Sequence, residues 1–283
     1  MDAGIHSISA EAYHADPCVE PSLSSSIAKL LIAQSPLHAF MAHPRLNAAF
    51  EAEHSSAFDL GSAAHALLLE RDPTKIVWVQ AEDWRTKDAK AIRDAARERG
   101  QFPLLAKYQA PLAEMTAQAN IALSRSELGD ILESGAVEQT LIWQDGAAWC
   151  RARADALSAD RRIILDYKST SDASPEVFGR QIGRMGYDFQ AEWYTRGVRA
   201  VTGAEPAFVL LAQEITAPYA CALFALSNAY REIGQRKVAR ALALWSRCME
   251  RREWPGYDTR IRYVEPPGWE LALLEDIDGG VQE

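Results

Sequence analysis

The stretch "ILDYKST", residues 164–170, decides how this 283-residue chain is read. Apolar residues run into Asp166. Side chains alternate on an extended backbone, so Asp166 and Lys168 share one side and Tyr167 faces the other. A carboxylate and an ammonium placed together at the end of a core strand form either a surface ion pair or part of a reactive site, and the flanking sequence bears on which. "EQTLIWQDGAAWCRARADALSADRRIILDYKST", beginning at Glu138, alternates and carries two turn signals. Asp145-Gly146 is one, since glycine tolerates the positive φ of a tight hairpin. "SADRR", residues 158–162, is the other. The pattern predicts three antiparallel strands, roughly 138–144, 147–157 and 162–169.

If the last two strands pair through "SADRR", Asp155 lies close to Asp166, and one register sets the two opposite each other. Lys168, two residues on, joins that face. Neighbouring carboxylates repel unless a cation sits between them. A divalent metal resolves this, and Mg²⁺ suits because it takes carboxylates, keeps waters and leaves room for a substrate phosphate. Lys168 is then placed to position or activate an attacking water, or to stabilise negative charge on the phosphate.

Two other segments hold candidates. In "YDFQAEWYTRG", Gln190 and Tyr194 are four apart and share one helix face. They either fix a phosphate, or orient the surroundings of a catalytic lysine, or form an ordinary helix surface with a half-buried tyrosine. In "GSAAHALLLE", His65 is embedded in an apolar helical run. It is either a core histidine satisfied by a carbonyl or a metal ligand brought in from the helical part of the chain. Gly61, one turn earlier, lets another backbone approach.

The rest of the chain frames these residues. Ser24, Ser25 and Ser26 precede a helix with Ile27, Leu30 and Leu31 on its apolar face, and any of them can cap it. Pro36 opens a second short helical segment that ends near Pro44. "SSAFDLGSAAHALLLERDP" predicts a helix, "TKIVWVQ" (residues 74–80) a strand, and "RTKDAKAIRDAARERG" a polar helix stopped by Gly100. Residues 108–133 continue as helix. Helices follow from about 175 to 202 with a break near Gly186. Two strands turned at Pro218 come next, then a long helix, about 227–252. The chain reads as one α/β domain over 1–283, with a helical portion to about 135 and a catalytic sheet with helices over about 136–283.

Net charge is −9, which argues against a uniformly cationic nucleic-acid binder. The charge is uneven. Residues 84–107 carry seven basic side chains and three acidic ones, and residues 227–262 nine and four. Arg85, Lys87, Lys90 and Arg93 are spaced to cover about two helical turns, and Trp84 beside them is either a stacking wedge or a buried anchor. No run approaches about 18 apolar residues, so no membrane span is expected. The opening residues lack a secretory pattern. The four scattered cysteines suit a reduced, cytoplasmic chain. No G-x-S-x-G or glycine-rich phosphate loop supports a small-molecule hydrolase.

Taken in order, G-x-x-x-H, Asp155, D-Y-K eleven residues later and Q-x-x-x-Y resemble the PD-(D/E)xK nuclease superfamily. More narrowly they resemble its RecB-like branch, and most closely the RecE-type phage exonucleases (exonuclease VIII, nuclease domain). "LSSSIAKLLIAQSPLHAF", "FDLGSAAHALLLE", "YDFQAEWYTRG" and "YVEPPGWEL" extend the likeness over nearly the whole chain. One departure is "AD" at Ala154-Asp155, where the superfamily has "PD".

The resemblance implies a restriction-endonuclease-like core, a central mixed β-sheet flanked by helices. It implies that His65, Asp155 and Asp166 bind metal with the Tyr167 carbonyl, and that Lys168 is the catalytic lysine. Gln190 and Tyr194 would support Lys168 or a DNA phosphate, and Glu138 stands where relatives often carry an acid. The implied activity is digestion of linear double-stranded DNA from its ends, 5′ to 3′, with Mg²⁺ (Mn²⁺ substituting), one or two ions, and no iron–sulfur cluster. A homo-oligomeric ring, with a single-strand annealing protein as partner, belongs to the same expectation. Within this reading Ser24 and Ser25 are candidates to receive a 5′-phosphate, and the basic segments to track the backbone. An endonuclease of the same superfamily and a noncatalytic DNA-binding module are the alternatives.

Overall fold

The structure, a computed structural model, describes residues 1–51 and 59–271. The first residues of the helix expected at 55–73, and the acidic residues beyond 271, lie outside the described residues. In chain order the elements are β1 (Gly4–His6), α1 (Ala10–His14), β2 (Leu23–Ser24), α2 (Ser25–Ala33), α3 (Pro36–Met41), α4 (Asp59–His65), β3 (Ile76–Val79), α5 (Lys87–Glu98), β4 (Phe102–Leu105), α6 (Gln109–Ser124), α7 (Ile131–Ser134), β5 (Ala136–Asp145), β6 (Ala148–Leu157), β7 (Ile163–Thr170), α8 (Pro175–Met185), α9 (Tyr187–Thr202), β8 (Ala207–Glu214), β9 (Cys221–Ala225) and α10 (Asn228–Arg251).

Most of the large sheet runs in the order β1-β5-β6-β7-β8-β9, with β2 alongside β6. The β5–β6 hairpin turns at Asp145-Gly146, where Gly146 takes a φ of +61°. The β6–β7 pairing is antiparallel, as the turn signals predict. Its ladder is short, however: only Ala156↔Leu165 and Leu157↔Ile164 pair. Beyond them the strands part, and β7 runs parallel with β8 for its whole length. The sheet is therefore mixed, as the resemblance implied.

Helices cover both faces. Leu31, Trp143, Ile164, Phe178, Phe189, Trp193, Leu210 and Trp245 form one core, joining α2, α8, α9 and α10 to the sheet. Leu68, Leu112, Met115, Leu165, Tyr167 and Leu211 form a second, under α4 and α6. The break at Gly186 appears as expected, with a φ of +67° that glycine takes without strain.

Three strands escape the sequence pattern. β1 and β2 are too short for periodicity to register, and β4, "FPLL", contains a proline that argues against a strand. It survives as half of a two-stranded parallel pair with β3. The single helix expected over 108–133 is two, α6 and α7, separated at Gly129, which has a φ of +47°. Trp84 packs partly buried against Val79, Ala89 and Leu105, as an anchor rather than a free wedge. Among the described residues no helix is long and apolar enough to cross a membrane.

Candidate active site

The site forms where the sheet opens. The β5–β6 pairs on either side, Val137↔Ala156 and Gln139↔Ala154, place Glu138 level with Asp155. The β6–β7 ladder, one step further, places Asp155 level with Asp166. Three adjacent strands thus carry three acids at one level. There Asp155 takes over as acceptor from the strand ladder: its Oδ2 receives the Tyr167 backbone N–H at 2.8 Å.

α4 delivers the imidazole. His65 Nε2 lies 3.3 Å from Asp155 Oδ2, and its Nδ1 lies 3.7 Å from Glu138 Oε1. Each of the three residues offers a ligand atom within 4.8 Å of the others. Gly61 makes the approach of α4 possible. A Cβ there would meet Ser169 Oγ at 2.6 Å and its Cβ at 3.2 Å, so the close contact is with a β7 side chain rather than a backbone. Gly61→Ala is accordingly expected to lower stability by about 1–3 kcal/mol in urea unfolding. Adding Ser169→Ala should recover part of the loss, because the nearest clashing atom is then gone.

Glu138 is held with more backbone strain than its neighbours. Its φ is +53°, a region non-glycine residues rarely adopt and which costs on the order of 1–3 kcal/mol. Arg153 Nε donates to its Oε2 at 2.5 Å, and Arg153 is in turn tied to the Ile8 carbonyl at 2.7 Å. Glu138 Oε1 is buried with no hydrogen-bond partner. The pattern gave this acid less weight than the two aspartates, yet it completes the tight trio. Its signal in the sequence was its distance from the Asp145-Gly146 turn, which fixes it opposite Asp155.

Asp166 is buried, and Lys168 Nζ contacts its Oδ1 as an ion pair lacking hydrogen-bond geometry. Gln190 Nε2 donates to Asp166 Oδ2 at 2.6 Å. The Gln190 amide N–H and the Lys168 ammonium, both donors, thus converge on the carboxylate between them, and Gln190 meets Lys168 through Asp166 rather than by a hydrogen bond of its own among the described residues. Tyr194 is buried too, one helical turn from Gln190, and burial pushes its hydroxyl well above the usual phenol range. It buttresses Gln190 from within the core, which argues against direct contact with a DNA phosphate. The Tyr167 side chain points away from the acids, its hydroxyl donating to Gln213 at 2.7 Å.

The electrostatics follow from burial and neighbours. Burial raises Asp166 to about 6, against the pull of Lys168. Burial acts the same way on Asp155, but His65, Lys168 and the Tyr167 N–H together outweigh it and hold that carboxyl below its usual range. His65 is raised, because Asp155 and Glu138 more than offset its own burial. Burial, then the Asp155 charge, raises Glu138. An imidazole, clustered carboxylates and an orphaned buried carboxylate oxygen suit a hard divalent cation.

The remaining candidates lie elsewhere. Ser24 caps α2, its Oγ accepting from the Ile27 N–H at 3.3 Å, while Ser25 Oγ is buried without a partner. Lys87, Lys90 and Arg93 ride on α5, with Arg85 just before it. Arg93 Nε donates to Asp94 at 2.8 Å and lies over the Trp84 ring, and Arg85 pairs with Asp83. No hydrogen bond or ion pair among the described residues joins these four to the acidic cluster.

A solved Eubacterium rectale protein named "Putative exonuclease" shares the fold, with a TM-score of 0.58 and 15% identity over 98% of this chain and 100% of that one. An alkaline exonuclease (LHK-Exo) from Laribacter hongkongensis aligns over 68% of this chain and 96% of that one at 15% identity; its TM-score of 0.28 is too low to carry an argument. No curated protein matches the sequence. Residues 24–267 match the family described as "PDDEXK-like domain of unknown function (DUF3799)". Most of the chain, including every residue of the acidic cluster, falls within that match, and the chain belongs to this PDDEXK-like family.

Proposed function

We propose that the chain is a metal-dependent exodeoxyribonuclease that hydrolyses phosphodiesters from the ends of linear duplex DNA, 5′ to 3′, leaving single strand for recombination by annealing. The observation that carries this reading is the meeting of His65, Glu138, Asp155 and the Asp166–Lys168 pair where β7 parts from β6. A RecE-type enzyme working in the cytoplasm as a homo-oligomeric ring, alongside a single-strand annealing protein, is part of the same proposal.

His65, Asp155, Asp166 and Glu138, with the Tyr167 carbonyl, are the groups that would hold Mg²⁺ or Mn²⁺, as one ion or two. The cation supplies Lewis acidity to the phosphodiester when bound. Lys168 places a positive charge where the phosphate gains negative charge and orients the attacking water. Gln190 and Tyr194 act through Asp166, fixing its orientation.

Linear duplexes labelled at either end, with and without a 5′-phosphate, test the reading. Release of label from the 5′ end is expected, with covalently closed circles left intact. Cleavage of closed circles would make the enzyme an endonuclease. No digestion with Mg²⁺ or Mn²⁺ would leave a noncatalytic module.

Metal affinity should also depend on pH. A cation must displace the protons of His65, raised above its ordinary 6.5 or so, and of Asp166, near 6. Both sites are more fully protonated as pH falls, so Mn²⁺ affinity should drop from pH 8 to 7. Below pH 6 it should drop more steeply, by more than about tenfold per unit once both groups compete. Calorimetric titrations at pH 5, 6, 7 and 8 measure this. A flat affinity would remove both groups from the ligand set.

A further inference from the structure

We infer that the groove between α2, the α8–α9 break and α10 binds the phosphate backbone of the DNA strand engaged at the active site. The inference rests on the nuclease reading and adds the path of the strand. The groove encloses about 550 Å³ and is lined by Lys29, Arg184, Lys237 and Arg240 around apolar Ile32 and Phe189. Among the described residues no acidic side chain lines it. Lys237 is already neutralised by buried Asp188, at 2.6 Å. Lys29, Arg184 and Arg240 have no hydrogen bond or ion pair among the described residues. Three cations from three elements, none held in an ion pair among the described residues, around an apolar floor match a nucleic-acid strand, whose phosphates take the cations while sugars and bases lie on the apolar surface.

One wall of the groove, the α8–α9 break at Gly186, runs on to the residue whose ring lies against Lys168. A Cβ at Gly186 would lie 2.9 Å from Lys29 Cδ, so the Lys29 stem rests on the backbone of the α8–α9 break. The next residue, Tyr187, has its ring 5.3 Å from Lys168 Nζ. Lys29 feels the charges of both Lys168 and Asp166. It therefore sits at the junction, and Arg184 and Arg240, both exposed, continue the positive track outward. A lining of one sign draws a polyanion.

The test measures binding apart from cleavage. Wild type, Arg184→Ala with Arg240→Ala, Arg184→Lys with Arg240→Lys, and the distant control Arg125→Ala are titrated with a fluorescent duplex bearing a single-stranded overhang. Fluorescence anisotropy is read in Ca²⁺ over a range of salt. The alanine pair should bind about tenfold more weakly, with the slope of log K against log[salt] shallower by about 1.5, as for two lost phosphate contacts. The lysine pair should recover most of the loss, and Arg125→Ala should match wild type. Wild-type affinity and slope in the alanine pair overturn the groove, as does weak binding that the lysine pair fails to recover. A change in oligomeric state without a change in salt slope also overturns it, making the face a contact between subunits. Digestion by wild type is scored separately. Binding that depends on the groove, without digestion, would sink the nuclease reading and leave the groove standing.

Discussion

Lys168→Ala is expected to lower the rate of metal-dependent digestion of linear duplex by about 10³-fold, while the fold and DNA affinity survive. The reason lies in what Lys168 touches. Its ammonium meets the buried Asp166 carboxylate on the same strand and lies against the Tyr187 ring. Removing a charge aimed at the developing negative charge of a transition state costs on the order of 10²–10³ in rate. Losing its control of a proton or water adds to that. Asp166 keeps Gln190 and is already raised to about 6, so it can take up a proton instead of standing as a bare buried charge. That is why the fold should hold. Lys168→Arg should rescue little, because a planar fork does not reproduce a compact ammonium at this contact. The measurements are single-turnover digestion and anisotropy in Ca²⁺. A Lys168→Ala protein that digests DNA at the wild-type rate removes the catalytic assignment.

The second large effect is on the metal. Asp155→Asn should weaken Mn²⁺ binding by about 100-fold or more and abolish digestion. Loss of a group that only holds a metal ligand in place already costs about 10–100-fold in metal affinity, and Asp155 sits at the centre of the cluster, 3.3 Å from His65 and level with both other acids. Asparagine is the informative replacement. Its amide oxygen can still accept the Tyr167 N–H, whereas alanine would leave that group unsatisfied at about 1–3 kcal/mol and confuse folding with binding. Calorimetry with Mn²⁺ reads the result. Unchanged stoichiometry and affinity would place the ion away from Asp155.

Much of the sheet was legible because its signals are local. Alternation, Asp145-Gly146 and "SADRR" mark β5, β6 and β7 to within a few residues, and with them the register that faces Asp155 to Asp166. Gly186 and Pro218 punctuate correctly because each acts on its own backbone. β4 was hidden for the opposite reason. Its proline violates a local preference, and pairing with β3 overrides it. Glu138 was underweighted because its role depends on a left-handed backbone angle that no side-chain pattern reveals. The partner of Gln190 stayed open, since helix spacing says which residues share a face and nothing of what that face meets.

By itself, the sequence determined the run of β5, β6 and β7, the pairing of the two aspartates and the presence of Lys168 two residues on. Each of these follows from interactions between residues near in the chain. Only the tertiary structure decided that His65 reaches the acids, that β7 leaves β6 for β8 and opens the space they share, and that Lys29 from α2 rests on the α8–α9 break at Gly186. Those contacts join segments separated by tens to more than a hundred positions. They are selected by how apolar faces pack and where glycines such as Gly61 and Gly186 permit close approach, which short-range periodicity does not encode.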